Sequence, residues 1–350
     1  LEALTIERAH IISGQLEASG DDDSAGCGEV EGFLKLVIQI PCYNEADTLP
    51  LVVHDMPRQV EGFEAVELLV IDDGSTDATA EIATELGVHH VVKLPQNRGL
   101  ANAFAKGLEV SLALGADVIV NTDGDNQYDN SEIPELVWPI LTGQADMVIG
   151  DRRVDTIAHF SPIKKLLQKF GSWVVRWASN TGVPDATSGF RAISRDTALR
   201  LHVFSSYTYT LETIIQAGRK GLTVASVPVR TRERLRESRL IRSLPSYIYL
   251  SALTILRIFM MYEPLRVFIS LGILPFVAGG LLVVRFLYFY LSGDGSGHVQ
   301  SLIVASILLV LGLQTFFLGL LADIIAKNRN LIEETHYRIK KIQLNERHKN

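Results

Sequence analysis

The sequence predicts an α/β domain built on a mostly parallel sheet and followed by two membrane-spanning helices. Short apolar runs rich in β-branched residues alternate with helical stretches from Leu34 to Ile149, the pattern of a sheet covered on both faces. Three of these runs end in polar clusters, at 41–45, 72–77 and 123–127. Near the C-terminus, Leu265 to Leu291 and Val299 to Ala326 are apolar stretches, each longer than the roughly 20 residues a span needs.

Residues 1–33 carry Gly-Asp-Asp-Asp-Ser-Ala-Gly and no apolar core of a signal peptide, so they read as a flexible tail. The first residue is Leu rather than Met, which predicts that residues precede it in the natural chain. Leu34 to Ile40 is the first strand, and a helix is expected from Ala46 to Val60. Val66 to Ile71 is the second strand; Thr76 or Asp77 can cap the helix that follows, Ala78 to Leu86. Next come a strand at Val88 to Leu94, a helix at Gly99 to Leu114, a strand at Asp117 to Thr122, a helix at Ser131 to Leu141 and a strand at Ala145 to Ile149. Ser161 to Thr181 has apolar residues at helical spacing with Lys164, Lys165, Lys169 and Arg176 between them, an amphipathic basic helix suited to a membrane surface. Leu222 to Val229 is a last strand, followed by the basic segment Arg230 to Arg242. Tyr247 to Tyr262 is apolar and aromatic and reads as a helix at the bilayer interface.

Composition narrows the function classes. A net charge of −7 argues against a general nucleic-acid binder, while the local basic segment favours an anionic ligand or a lipid surface. A mean hydropathy of +0.19 fits a chain with membrane segments. The two cysteines, Cys27 and Cys42, are too few for a disulfide framework. No glycine-rich dinucleotide or phosphate-loop fingerprint follows the first strand, which weakens dehydrogenase and NTPase readings. The loop 292–298 between the apolar stretches has no Lys or Arg, whereas Arg266, Lys327 and Arg329 flank their other ends, so both termini are expected in the cytoplasm.

The chemistry concentrates at Thr122-Asp123-Gly124-Asp125-Asn126-Gln127. Residues i and i+2 of an extended turn point to one side, so Asp123 and Asp125 can converge on a hard cation with Gln127 as a third oxygen donor. All-oxygen ligation suits Mg2+ or Mn2+ shared with a substrate phosphate. Alone, the same residues also describe an ordinary solvated turn. In a parallel sheet, ligands bind beyond the carboxyl ends of the strands, so one crevice can collect all three polar clusters.

Four pieces together, Pro41-Cys42-Tyr43-Asn44-Glu45, Ile71-Asp72-Asp73-Gly74-Ser75-Thr76-Asp77, the Asp123 turn and Thr187-Ser188-Gly189-Phe190-Arg191, resemble the GT-A glycosyltransferases of the dolichol-phosphate mannose synthase type, in family 2. The resemblance covers about residues 34–264, and the two membrane helices are similar to those of bacterial polyprenyl-phosphate glycosyltransferases. It implies inverting transfer of one sugar from a GDP- or UDP-linked donor to a polyisoprenyl phosphate, in the bacterial inner membrane, with a homo-oligomer as an option. It implies that Pro41, Tyr43, Glu45, Asp72 and Asp73 lie along the nucleotide, and that Asp123, Asp125 and Gln127 hold the metal on the donor diphosphate. Asp185 would face the reacting sugar as a positioning or electrostatic group, with general base as the alternative. Ser188, Arg191, Arg234, Ser238 and Arg239 would meet the acceptor phosphate, with Arg239 standing where the family has Lys and Arg236 where it often has Gly. The resulting organisation is a tail at 1–33, a catalytic domain at 34–240, an interfacial region at 241–264, a membrane pair at 265–326 and a cytoplasmic tail at 327–350. The competing readings are a processive polysaccharide synthase, which would need more membrane helices and a Q-x-x-R-W box, and a non-catalytic membrane-anchored sugar-nucleotide binder.

Overall fold

The structure, a computed structural model, describes residues 34–153, 171–177, 179–203, 209–232, 262–293 and 299–347, with isolated residues between 253 and 260. The expected tail at 1–33, most of the Ser161–Thr181 and Tyr247–Tyr262 helices, and Arg234, Ser238 and Arg239 lie outside the described residues.

A 7-stranded sheet runs in the order β3-β2-β1-β4-β6-β5-β7. Its strands are β1 (Lys35–Cys42), β2 (Ala65–Asp72), β3 (His90–Lys93), β4 (Val118–Asn121), β5 (Met147–Asp151), β6 (Arg191–Ser194) and β7 (Val224–Pro228). The pairs β1–β2, β1–β4, β2–β3 and β5–β7 are parallel, and β6 lies antiparallel between β4 and β5. β1 is buried along nearly its whole length, which explains its continuous apolar run: a central parallel strand has no solvent face. The chain leaves β1 on one side towards β2 and β3 and returns on its other side as β4, so the strand order reverses beside β1. Open α/β sheets place their ligand crevice at such a reversal.

The helices are α1 (Leu49–His54), α2 (Thr79–Glu85), α3 (Leu100–Ala113), α4 (Ile133–Leu141), α5 (Arg195–Arg200), α6 (Thr210–Arg219), α7 (Pro264–Leu291) and α8 (Val299–Arg347). The helix expected over Ala46–Val60 is shorter because Glu45 to Thr48 form a turn and Pro57, which lacks an N–H and restricts Met56, follows the C-cap Asp55. The short antiparallel β6 and the helices α5 and α6 were not anticipated from the sequence pattern.

α7 spans 28 residues, about 42 Å at 1.5 Å per residue, against a hydrocarbon core of about 30 Å. α7 and α8 are both long and apolar enough to cross a membrane, and only 11% and 17% of their most apolar windows are buried within the protein. They pack through small residues. A Cβ on Gly312 would stand 2.7 Å from Phe276 Cβ, one on Gly319 2.7 Å from Phe268 Cβ, and one on Gly279 3.0 Å from the Ala305 carbonyl. Ala305, Gly312, Gly319 and Ala326 recur every seventh residue, the spacing of a left-handed helix pair. With their apolar side chains turned outward, α7 and α8 are candidate membrane spans.

α8 does not stop at the end of its apolar part but runs for 49 residues. The stretch from 327 to 347 has no Gly or Pro, and the i,i+4 pairs Asp323–Lys327 (2.8 Å), Arg329–Glu333 (2.8 Å) and Glu334–Arg338 (2.9 Å) line its surface. Its charged half docks on the sheet domain. Tyr337 and Leu344 join the buried cluster that holds Ala198, Leu199 and Leu201, Tyr337 donates its hydroxyl to Asp196, and Lys220 pairs with Glu333 at 2.9 Å. One unbroken helix therefore ties the membrane segment to the sheet. Tyr337→Ala should destabilise the detergent-solubilised protein by about 3 kcal/mol, as expected for loss of a large buried ring; a thermal midpoint equal to wild type would show that the docking contributes nothing.

Candidate active site

The floor of the crevice is a buried polar chain. Gln39 on β1 donates to Asn121 Oδ1 on β4 at 2.9 Å, and Asn121 Nδ2 donates to the Gly189 carbonyl at 2.8 Å and to the Tyr209 hydroxyl at 3.0 Å. Tyr209 stacks on Phe104 of α3 with ring centroids 3.8 Å apart. Gln39 has its space because position 107 is Gly: a Cβ there would lie 2.4 Å from Gln39 Oε1.

Above this floor, Asp123, Asp125 and Gln127 are half-buried, while Gly124, Asn126 and Tyr128 between them are buried. Exposure thus alternates along the turn, and Asp123, Asp125 and Gln127 take its more exposed positions. Gln127 donates its backbone N–H to Asp125 Oδ1 at 3.2 Å and its amide nitrogen to Asp125 Oδ2, which leaves the amide oxygen as the donor for a cation. Asn126 holds the turn with a left-handed φ of 58°. Gly124 lets the turn rest on the β1 loop, where a Cβ would come within 3.0 Å of Cys42 Sγ. Thr48 clips the same contact, donating to the Gly124 carbonyl at 2.7 Å and reaching Glu45 Oε2 at 2.8 Å. Gly189 leaves room for a carboxylate: a Cβ there would lie 2.8 Å from Asp123 Oδ2 and 2.9 Å from Oδ1. Two carboxylates and an amide oxygen within residues 123–127 are a donor set that suits a hard divalent cation.

The loops after β1 and β2 are stitched together. Asn44 donates its N–H to Ser75 Oγ at 2.9 Å and accepts from Thr76 N at 2.8 Å, and Glu45 donates its N–H to Thr79 Oγ1 at 2.9 Å. Pro41 is buried and Tyr43 half-buried on this wall. Both oxygens of Asp73 accept backbone N–H groups, from Arg98 at 2.9 Å and Gly99 at 2.8 Å, so this carboxylate anchors the start of α3. Burial pushes its pKa up. Asp72 accepts from Ser75 N through Oδ1, and its Oδ2 is buried without a hydrogen-bond partner.

Asp185 is 2% exposed and gripped by a residue that the sequence reading did not single out. Arg152, just beyond β5, donates from Nε to Asp185 Oδ2 at 2.7 Å and from Nη2 to Oδ1 at 3.0 Å. Thr187 adds its N–H and hydroxyl to Oδ1, at 3.2 and 3.0 Å. Burial opposes the charged carboxylate, but Arg152 and Thr187 outweigh it and hold the pKa below the usual carboxylate value. Asp185 is therefore a weak base and a strong fixed charge. Burial likewise opposes charge on Arg152, and Tyr128, Asp185 and Asp123 reverse the effect and raise its pKa. Tyr128 closes the back of the site, stacked on Phe190 at 5.1 Å and accepting from Gly189 N at 2.9 Å.

Two residues expected to meet the acceptor, Arg191 and Ser188, are fully buried in the structure. Arg191 is fully buried, its Nε donating to the Ser188 carbonyl at 2.8 Å and its Nη2 to the Ala186 carbonyl at 3.2 Å, with a further bond to Thr213. Burial lowers its pKa to about 10, so it remains charged at neutral pH. These bonds hold the 186–188 loop from inside. Ser188 is also fully buried, its hydroxyl directed to Tyr128 at 3.5 Å. Arg191 opens β6, an interior strand, and its side chain is enclosed within the domain.

The family model described as glycosyl transferase family 2 matches residues 37–198. The undecaprenyl-phosphate mannosyltransferase of Micrococcus luteus is 30% identical over 211 residues, 57% of this chain and 85% of that protein. The chain belongs to glycosyl transferase family 2. The polyprenol monophosphomannose synthase of Mycolicibacterium smegmatis is 29% identical over 238 residues, 64% of this chain and 86% of that protein. Among solved structures, glucosyl-3-phosphoglycerate synthase from Mycobacterium tuberculosis, in complex with Mg2+ and uridine diphosphate, superposes with a TM-score of 0.52 at 23% identity, covering 64% of this chain and 79% of that one. The likeness establishes the GT-A fold of this family 2 member.

A test of the Arg152–Asp185 pair follows from linkage. In the wild-type protein the native Asp185 pKa is depressed, so its contribution to stability is present above the unfolded value of about 3.9 and is lost as pH falls through the native one. Arg152→Met leaves a buried carboxylate without its cation, which raises the native pKa above the unfolded one. Stability of that variant should then fall as pH rises from about 4 towards 6, reversing the wild-type sign. Chemical unfolding across that pH range measures it; parallel profiles for the two proteins would show that the pair does not hold the charge.

Proposed function

We propose that the protein transfers a single sugar, with inversion, from a nucleotide-sugar to the phosphate of a polyisoprenyl phosphate at a membrane surface. The observation that carries this reading is the acidic turn 123–127, set at the strand-order reversal of a sheet that is tied by one helix to a membrane pair. Relatives named for transfer to polyprenol and undecaprenyl phosphate support the acceptor class. A relative named as a dolichyl-phosphate N-acetylglucosaminyltransferase acting with UDP-N-acetylglucosamine, 28% identical over 217 residues, keeps the donor open between GDP- and UDP-linked sugars.

Asp123, Asp125 and the Gln127 amide oxygen would hold Mg2+ or Mn2+, which neutralises charge developing on a nucleoside diphosphate leaving group. Pro41, Tyr43 and Glu45 form the nucleotide wall, and the unpartnered Asp72 Oδ2 is an acceptor that a base or ribose donor would satisfy. Asp73 contributes by fixing the 98–99 backbone on the same side. The acceptor phosphate, with a second pKa of about 6, is already ionised near neutral pH and needs no strong base. Asp185, held charged by Arg152, therefore positions the sugar electrostatically and takes no proton. Arg234, Ser238 and Arg239 remain the candidates to grip the acceptor phosphate, and Arg191 and Ser188 act on it through the loop they hold. The catalytic domain faces the cytoplasm, in bacteria at the inner membrane.

Asp123→Ala and Asp125→Ala should each lower transfer of labelled sugar to polyprenyl phosphate by several orders of magnitude while leaving the unfolding midpoint near wild type, and EDTA should do the same reversibly. A panel of GDP- and UDP-linked sugars identifies the donor. Transfer that survives both substitutions and EDTA would dismiss the site. For topology, a cysteine at Ser296 should react with an impermeant thiol reagent added outside and one at Asn330 should not; the opposite labelling would invert the assignment.

A further inference from the structure

The first residues after β7 return to the acidic turn. Thr231 bridges Tyr128 in antiparallel fashion, Arg232 donates its N–H to the Gln127 carbonyl at 2.8 Å, and Asp129 donates its N–H to the Arg230 carbonyl at 3.4 Å. The Arg232 side chain then spreads across three acceptors. Its Nη1 reaches Asn126 Oδ1 at 3.0 Å and Asp55 Oδ2, and its Nη2 reaches Asp129 Oδ1 at 3.2 Å. Each partner occupies a structural corner. Asn126 is the left-handed residue between Asp125 and Gln127, Asp55 is the C-cap of α1, and Asp129 caps the single turn Asn130–Glu132 by accepting from Ser131 N. Arg230 reinforces the far side through Glu132 at 2.6 Å and Asp129 at 3.3 Å.

We infer that Arg232 is a positioning residue: it fixes the Asp125–Gln127 turn in its cation-receiving shape. The inference rests on the proposed reaction only for the identity of the substrates. The physical argument is local. A left-handed non-glycine residue is held by what surrounds it, and the guanidinium fork is the group that pins the Asn126 amide. The same fork places one positive charge among Asp55, Asp129 and the acidic turn, whose carboxylates would otherwise repel. An exposed ion pair alone is worth little, but a planar fork shared by three fixed acceptors is a geometric restraint that a lysine cannot reproduce.

The test compares wild type with Arg232→Gln, Arg232→Lys and Asp129→Asn in the full-length protein. Mn2+ binding is titrated by electron paramagnetic resonance in the presence of UDP and, separately, GDP, and steady-state transfer is followed with polyprenyl phosphate. Arg232→Gln should weaken Mn2+ by about tenfold, equivalent to about 1.4 kcal/mol, and lower transfer to polyprenyl phosphate. Arg232→Lys should fail to restore either value. Asp129→Asn, which keeps the shape of the cap, should weaken Mn2+ in the same direction and be non-additive with Arg232→Gln. If Arg232→Gln or Asp129→Asn lowers the unfolding midpoint but leaves the Mn2+ affinity unchanged, Arg232 is a structural ion pair and the inference is wrong. Recovery of Mn2+ affinity by Arg232→Lys would equally refute the fork. If wild type transfers no sugar to polyprenyl phosphate, the functional reading fails, and the Mn2+ titration still decides the role of Arg232.

Discussion

The site depends on Asn121. Its amide receives Gln39 from β1 and donates to Gly189 and Tyr209 on the other side. A buried amide that is fully satisfied locks its neighbours in register, because any shift leaves a polar group without a partner at a cost of about 1–3 kcal/mol. Asp123 follows two residues later, so its height above the sheet is inherited from this lock. The Gly189 backbone, held by the same amide, brings the 186–190 loop close enough that no side chain fits between it and the Asp123 carboxylate. The acidic turn and the loop that faces it are therefore placed by one hydrogen-bonded hub rather than by two independent loops.

Charge is arranged in opposed layers around that hub. The open side carries Asp123 and Asp125; the wall behind it carries Asp185, compensated by Arg152, and the loop is held from inside by Arg191. Breaking a buried pair such as Arg152–Asp185 typically costs about 3–5 kcal/mol, far more than its net worth, because an uncompensated charge stays behind. Such a pair is a poor source of stability but a good source of fixed field, since neither charge can rotate away. A sugar leaving a diphosphate develops positive character, and an immobile carboxylate within that field suits it better than a titrating base would.

Much of the fold was legible because the sheet writes itself in apolar runs: β1, β2, β4 and β5 are continuous and buried, and their positions match the runs within a few residues. β6 escaped because four residues, Arg-Ala-Ile-Ser, are too few and too polar to show a period, and the motif reading of Arg191 drew it toward a ligand. The alternation of Asp123, Asp125 and Gln127 was readable from their spacing. Arg152 was not, since an arginine after a strand has no pattern of its own; the rule that ligands gather at carboxyl ends of parallel strands is the signal that points to it. Asp73 shows the converse limit. The pair Asp72-Asp73 looks uniform in sequence, yet one carboxylate holds the 98–99 backbone ahead of α3 while the other keeps an oxygen unpartnered, a division that only the packing of that backbone makes.

The long α8 gives these local arrangements a common frame. A lipid phosphate keeps its tail in the bilayer and offers its head only at the membrane surface, so a soluble-looking sheet domain must be held at a defined height to meet it. A flexible linker would let that height vary by several ångströms, since the end-to-end distance of such a chain grows as about 5–6 Å times the square root of its length. A helix that begins among apolar residues packed on α7 and ends with Tyr337 and Leu344 in the sheet's own core permits no such play. Placement errors of about 1 Å can cost about a hundredfold in rate. The continuous helix thus links the position of the sheet domain, and of the acidic turn it carries, to the apolar helix pair.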